Sequence, residues 1–313
     1  MENNHRMKWI KRGRIFCPDG NFPWMQSHAA NPVAQHLIKD IFRIYFSCRD
    51  RDNRSSIGFV EIDIFKPTDI LRISSQPILE PGDPGLFDDS GASIGCLSFI
   101  DDKIFLYYTG WNLGVTVPWR NSIGLAISQI GEIHFKKYSR APILDRSDVD
   151  SFSISYPWVM RDGPIWRMWY GSNLQWGKKH SDMMHVIKYA ESPDGINWNR
   201  QGIISIDLQT PGEWGISKPC VIKDQDKYLM WYSFRGGSYR IGYAESADGI
   251  HWERKDGQVG IDVSDSGWDS EMICYPNVFD HLGRRYMLYN GNGYGKTGMG
   301  LAVLQKNVDV PSS

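Results

Sequence analysis

The chain has no excess of either charge: 35 lysines and arginines stand against 36 aspartates and glutamates in 313 residues, a formal net charge of −1. That balance excludes the basic footprint of a nucleic-acid binder and the polybasic face of a membrane-surface protein. No apolar run approaches the ~18 residues of a membrane span. The opening Met1-Glu2-Asn3-Asn4-His5-Arg6 lacks the apolar stretch of a signal peptide, so a cytoplasmic location is expected. Cysteine is scarce. Cys17, Cys48, Cys96, Cys220 and Cys274 form no C-x-x-C pair and no zinc-like Cys/His spacing, so buried reduced thiols are expected. No Asp-rich loop has a clear calcium-coordination spacing and no metal site is assigned, though a structural calcium stays open. What is abundant is glycine, tryptophan and tyrosine, at 31, 13 and 15 residues. Many turns and aromatic strands point to an all-β protein.

The strands repeat. Aromatic anchors at Phe46, Tyr108, Tyr170, Tyr232 and Tyr289 follow one another at intervals of 62, 62, 62 and 57 residues. Upstream of four anchors lies a second strand that opens on proline: Asn31-Pro32, Tyr156-Pro157, Lys218-Pro219 and Tyr275-Pro276; Gly95 takes that place in the remaining unit. Proline cannot donate to a central ladder and so marks a strand start or edge. A third strand follows each anchor, as in Ser122-Ile123-Gly124 and Arg240-Ile241-Gly242. Two of these run into Asp-Gly turns at Asp194 and Asp248, with a fourth strand expected beyond Trp198 and Trp252.

Five such units predict a five-bladed β-propeller with four-stranded blades. The fifth unit stops after its third strand, and Trp9–Phe16 resembles fourth-strand text, so the N-terminal strand is expected to close the last blade. The expected division is one domain over 1–313: the outer strand of blade 5 at 8–16, then blades at 22–80, 81–145, 146–207, 208–262 and 263–305, and a tail at 306–313. A pair of β-sandwiches is the structural alternative.

Loops at the starts of inner strands gather at one end of a propeller, where a site is expected. The inner-strand segments bring His28 and Asn31, Asp88 and Asp89, Tyr156, Lys218, then Asp269, Glu271 and Tyr275. Ends of second strands and nearby loops add Arg49, Trp111, Arg120, Arg235 and Asn290. Carboxylates, aromatic faces, amides and arginines in one basin suit a sugar. Paired carboxylates are the usual minimum for glycoside cleavage, one protonating the leaving oxygen and one acting as base or nucleophile. Asp89 and Glu271 are the candidate pair. Trp111, Tyr156 and Tyr275 form the expected platform, and Arg120 and Arg235 would bind hydroxyls or an anion. Asp194 and Asp248 are expected in turns, and Trp169, Trp198, Trp231 and Trp252 in the blade cores.

The Trp169-Tyr170 and Trp231-Tyr232 second strands, with Tyr189-Ala190-Glu191-Ser192-Pro193-Asp194-Gly195-Ile196-Asn197-Trp198, resemble the five-bladed propeller glycoside hydrolases of families 43, 32, 68 and 130. The resemblance spans nearly the whole chain and implies that fold, glycoside substrates and acid chemistry. Motifs depart from it. Asn31 stands where families 43 and 32 usually carry an aspartate. Ser90–Gly95 replaces the Glu-Asp-Pro-Arg of family 130, and Ser155-Tyr156-Pro157 stands where family 43 has a glutamate.

The expected function is a carbohydrate-active enzyme that cleaves or transfers a glycosidic bond of an oligosaccharide or glycoconjugate. Two alternatives stand beside it. One is a phosphorylase or glycosyltransferase-like enzyme, with phosphate as co-substrate at Arg49, Arg51, Arg120, Lys218 or Arg235. The other is a non-catalytic propeller that binds a glycan or a protein.

Overall fold

The structure is a computed structural model and describes residues 6–179 and 182–305; the expected tail at 306–313 lies outside them. The strands are β1 (Trp9–Phe16), β2 (Ser27–Ile38), β3 (Ile41–Arg49), β4 (Ser55–Asp63), β5 (Lys66–Ile73), β6 (Gly91–Ile100), β7 (Lys103–Leu113), β8 (Trp119–Gln129), β9 (Lys136–Lys137) and β10 (Ile154–Asp162). They continue as β11 (Ile165–Gln175), β12 (Met184–Ser192), β13 (Asn199–Ile206), β14 (Gly215–Asp224), β15 (Lys227–Arg235), β16 (Tyr239–Ser246), β17 (Glu253–Arg254), β18 (Cys274–His281), β19 (Arg284–Asn290) and β20 (Met299–Leu304). No helix among the described residues is long and apolar enough to cross a membrane.

Antiparallel pairing groups the strands into consecutive meanders: β2–β5, β6–β9, β10–β13 and β14–β17. The last meander is β18, β19 and β20 with β1 in the fourth place, Trp9 facing Leu304. Single parallel bridges, Ser55 to Gly91 and His185 to Gly215, join neighbouring meanders into sheets of eight, eight and four strands.

Burial follows strand position. β3 is buried along nearly its whole length and β5 is mostly exposed. A second strand covered on both faces reads as a continuous apolar run, and an outer strand needs none. The core lies between meanders. Phe46 and Ile44 of β3 pack with Leu288 and Leu301 of the last meander and with Ile15 of β1. Corresponding clusters lie between each other pair of neighbours. Each fully buried aliphatic or aromatic side chain contributes about 1.5–3 kcal/mol.

One hydrogen bond recurs between neighbours. The residue after the aromatic anchor accepts a backbone N–H from the next inner strand: Ser47 from Ile94, Thr109 from Tyr156, Ser233 from Tyr275. Asn290 accepts from Asn31 in the same way, at 2.8 Å, and so ties the last meander to the first. The Asp-Gly turns serve the same packing. Gly195, at φ +75°, accepts from the Tyr107 hydroxyl through its carbonyl, and a Cβ there would lie 2.8 Å from that hydroxyl.

Candidate functional site

Every inner strand breaks register near its start. The shifts fall between Ala30 and Val33, Ile94 and Cys96, Ser155 and Trp158, Ser217 and Cys220, and Cys274 and Asn277. At four of them the residue before proline has positive φ: Asn31 (56°), Tyr156 (49°), Lys218 (52°) and Tyr275 (56°). Proline disfavours the right-handed helical region for the residue before it. Left-handed geometry at a bulky residue costs about 1–3 kcal/mol. In the second meander Gly95 takes the place, and a Cβ there would lie 2.6 Å from Pro157 Cγ.

Residues at or beside four of these breaks, Asn31, Ser93, Tyr156 and Tyr275 among them, line a cavity of about 380 Å³, inside the ~300–1,000 Å³ range of small-molecule sites. Its aromatic wall is Trp111, Trp119, Tyr156, Tyr239, Tyr275 and Tyr294. Its amide wall is Asn31, Asn53, Asn121 and Asn173, with Ser47, Ser55, Ser93, Thr109 and Ser155 between them. The charged or titratable members besides the tyrosines are His28, Cys48, Arg49 and His185; no aspartate or glutamate lines it among the described residues.

The Tyr156 and Tyr275 hydroxyls lie 3.3 Å apart. Burial pushes both pKa values up, so both stay neutral donors and acceptors at neutral pH. His185 donates from Nδ1 to the Ile216 carbonyl at 2.7 Å, which leaves Nε2 to accept from the Tyr239 hydroxyl at 3.4 Å. His28 sits beside Ser27 Oγ at 2.8 Å. Burial, then the charges of Arg49 and Lys296, lowers its pKa to about 4, so the imidazole is neutral. Arg49 lies 5.6 Å over the Trp111 ring and donates from Nη1 to the Asn53 side chain at 3.0 Å and its carbonyl at 3.1 Å. Among the described residues, no group of three or more His, Cys, Asp and Glu could hold a metal ion.

Of the residues singled out in the sequence, His28, Asn31, Arg49, Trp111, Tyr156 and Tyr275 line this cavity. The carboxylates do not. Asp88 is fully buried, accepts from the Tyr108 hydroxyl at 3.0 Å and pairs with Lys137 at 2.6 Å. Asp269 accepts from the Tyr289 hydroxyl at 3.0 Å and pairs with Lys11 of β1 at 2.7 Å. Asp150 does the same with Tyr170 at 2.9 Å, and with Lys188 and Arg200. In all three the aspartate precedes its tyrosine by 20 residues. The fourth meander varies the theme: Tyr232 donates to Asp256, and Arg254 bridges Asp256 and Glu213. The first has Phe46 there and no hydroxyl to donate. Buried carboxylates at this offset are ties between a loop, a second strand and an outer strand.

Asp89 is spent on its own loop, accepting from Gly85 N–H and Ser90 Oγ at 2.9 Å each. Glu271 is exposed. The cavity wall therefore does not bring this pair together. Lys218 is fully buried, donates to the Gly95 carbonyl and lies outside the wall; burial lowers its pKa to about 8. Asn290 is the inter-meander tie, donating to the Ala29 carbonyl as well. Arg235 stacks on Trp214 at 4.2 Å and donates to the Tyr294 hydroxyl, behind the wall. Arg120 is exposed on β8.

Ser55, Asn121, His185 and Tyr239 were not singled out, yet they share one signal. Each stands two residues before the aliphatic anchor of a third strand, Ile57, Ile123, Ile187 or Ile241.

The fold is shared with solved structures described as glycoside hydrolases. A structure described as a glycoside hydrolase superposes with a TM-score of 0.75 at 19% identity, over 98% of this chain and 95% of that one. A thermostable family-43 glycoside hydrolase gives 0.66 at 17%, over 91% and 90%. The α-L-arabinofuranosidase PaAbf62A of Podospora anserina, in complex with cellotriose, gives 0.69 at 11%, over 96% and 98%. The chain matches no family model. By sequence it belongs to the family of two Mycobacterium tuberculosis proteins, described as uncharacterized proteins MT1551 (strain CDC 1551 / Oshkosh) and Rv1502 (strain ATCC 25618 / H37Rv). Each is 52% identical over 299 residues, 96% of this chain and 100% of the relative.

Proposed function

We propose that this chain is a five-bladed propeller whose central cavity holds an oligosaccharide or glycoconjugate, in a carbohydrate-active protein. The five meanders, the core between each neighbouring pair and the Asn290 to Asn31 tie support five blades in a closed ring. The observation that carries the sugar reading is the wall itself: six aromatic rings interleaved with amides and hydroxyls around about 380 Å³. Ring faces pack on sugar C–H groups, and amides take the hydroxyls by paired donor and acceptor bonds.

Recognition is the activity this wall supports best. A glycosidase of the two-carboxylate type needs an acid and a base or nucleophile flanking the bond, and neither Asp89 nor Glu271 reaches the wall. Tyrosine can replace a carboxylate nucleophile in some glycosidases, but burial disfavours the phenolate of Tyr156 and of Tyr275.

An NMR time course against oligosaccharides and nucleotide-sugars, with and without phosphate, tests this. Shifts of the Trp111 and Trp119 indole signals without turnover are the expected result. Turnover that disappears in Asp89→Asn or Glu271→Gln would return the carboxylate pair to the mechanism. Turnover only with phosphate would make the protein a phosphorylase.

A further inference from the structure

We propose that the saccharide carries an anionic group, a carboxylate or a phosphate ester, and that Arg49 receives it. This rests on the cavity being a sugar site. Most half-buried arginines of the fold lie against a carboxylate: Arg43 on Glu61, Arg167 on Asp162, Arg200 on Asp150, Arg254 on Glu213 and Arg285 on Asp280. Arg49 has no such partner among the described residues, although it lines the cavity. The acid next to it in sequence, Asp50, is taken by its own turn, accepting from the N–H groups of Asp52 and Arg54 and from Arg54 Nε. A guanidinium withdrawn from water without a counter-charge is a standing cost.

The group is also held in place. Nη1 is fixed by Asn53, and the plane lies over Trp111. Nε and Nη2 have no protein partner among the described residues, which leaves the edge of the fork that binds carboxylate or phosphate through two parallel bonds. Lys296 adds positive charge near His28, and His28 is neutral. Two further wall atoms lack protein partners: Asn31 Oδ1 and Asn173 Nδ2, on residues 5% and 6% exposed. One accepts and one donates, as sugar hydroxyls require. The wall thus offers a positive fork beside neutral hydroxyl partners, with no carboxylate among the described residues to repel an anion.

The test is calorimetric titration with matched probes in the gluco, galacto and manno series: methyl glycosides, the corresponding methyl uronosides and the 6-phosphates, with inorganic phosphate as a separate arm. An acidic member is expected to bind about 10- to 100-fold tighter than its neutral counterpart, the worth of a charge-assisted fork. Whether the uronoside or the phosphate leads identifies the source of the charge. Arg49→Gln should erase the difference, and Arg49→Lys, a point charge without the fork, should recover only part of it. In the unaltered protein, raising salt from ~0.05 to ~0.5 M should weaken the acidic probe and spare the neutral one. Equal binding of neutral and acidic members would overturn the inference and leave the sugar site standing. Inorganic phosphate binding as tightly as every phosphorylated sugar would overturn it as well. If no probe binds and the Trp111 and Trp119 indole signals stay unmoved, both readings fall.

Discussion

The carboxylates of this protein and its cavity occupy different parts of each repeat. Asp88, Asp150 and Asp269 recur at one offset from a tyrosine hydroxyl, each with a lysine or arginine from elsewhere in the meander. The cavity wall is the opposite case. Its third-strand positions are Ser55, Asn121, His185 and Tyr239, four different side chains at one recurring place. What repeats holds the meanders together. What differs at a repeated place is available for recognition, because a ligand has no five-fold symmetry.

The comparison breaks most readily at Asp150. Its carboxylate takes bonds from Tyr170, Ser172, Lys188 and Arg200. Burial alone would raise its pKa, but the Ser172 hydrogen bond and the Lys188 charge outweigh it and hold the carboxyl below its ordinary value. Asp150→Ala leaves two buried cations unpaired and should cost about 3–5 kcal/mol in denaturant unfolding. Sugar binding at room temperature should survive in the folded fraction.

Lys218 belongs to neither region and sharpens the contrast from the other direction. Its pKa, lowered from 10.5 to about 8 by burial, means that the folded protein disfavours the charge. The unfolded chain then binds more protons between those values, so stability should rise with pH from about 8 to 10.5. Lys218→Met should abolish that rise and gain about 2–3 kcal/mol at neutral pH, read from the shift of the denaturation midpoint.

His28 gives a smaller effect on the acid side. Its pKa falls from 6.5 to about 4 on folding, chiefly through burial. Stability should therefore decline as pH drops from 6.5 toward about 4, and the slope in that window should flatten in His28→Gln. The smallest effect is expected at the exposed Glu271, where Glu271→Gln should change stability by no more than about 0.5 kcal/mol and leave saccharide binding intact.

The strand plan was legible because second strands are buried on both faces and must be aromatic or aliphatic at each repeat. Phe46, Tyr108, Tyr170, Tyr232 and Tyr289 could not drift in spacing without moving a core. Trp9–Phe16 was readable as an outer strand because it resembles fourth-strand text, and it pairs with β20. Within the site, Asn31, Tyr156 and Tyr275 were marked by the prolines after them, and Arg49 and Trp111 by the ends of second strands. Asp88 and Asp269 looked like site residues because a loop carboxylate shows its chemistry in sequence but not its partner. Lys137 and Lys11 supply those partners from 49 and 258 residues away. Asn121 and His185 stayed hidden because a polar residue near the start of a strand is unremarkable until the fold turns that residue inward.

The pairing of β1 with β20 also sets the order of events during synthesis. β1 leaves the ribosome well before its partner, so its ladder groups stay unmatched while the intervening meanders are made. At about 5–20 residues per second that wait is on the order of tens of seconds. Throughout it β1 has no strand to join, and the core between the first and last meanders lacks Leu288 and Leu301. Joining β1 to β20 spans nearly the whole chain, the kind of non-local contact that slows folding. A nascent chain in that interval exposes a lone strand and the uncovered side of the first meander, so co-translational protection of residues 9–16 would govern how much of the protein pairs β1 with β20.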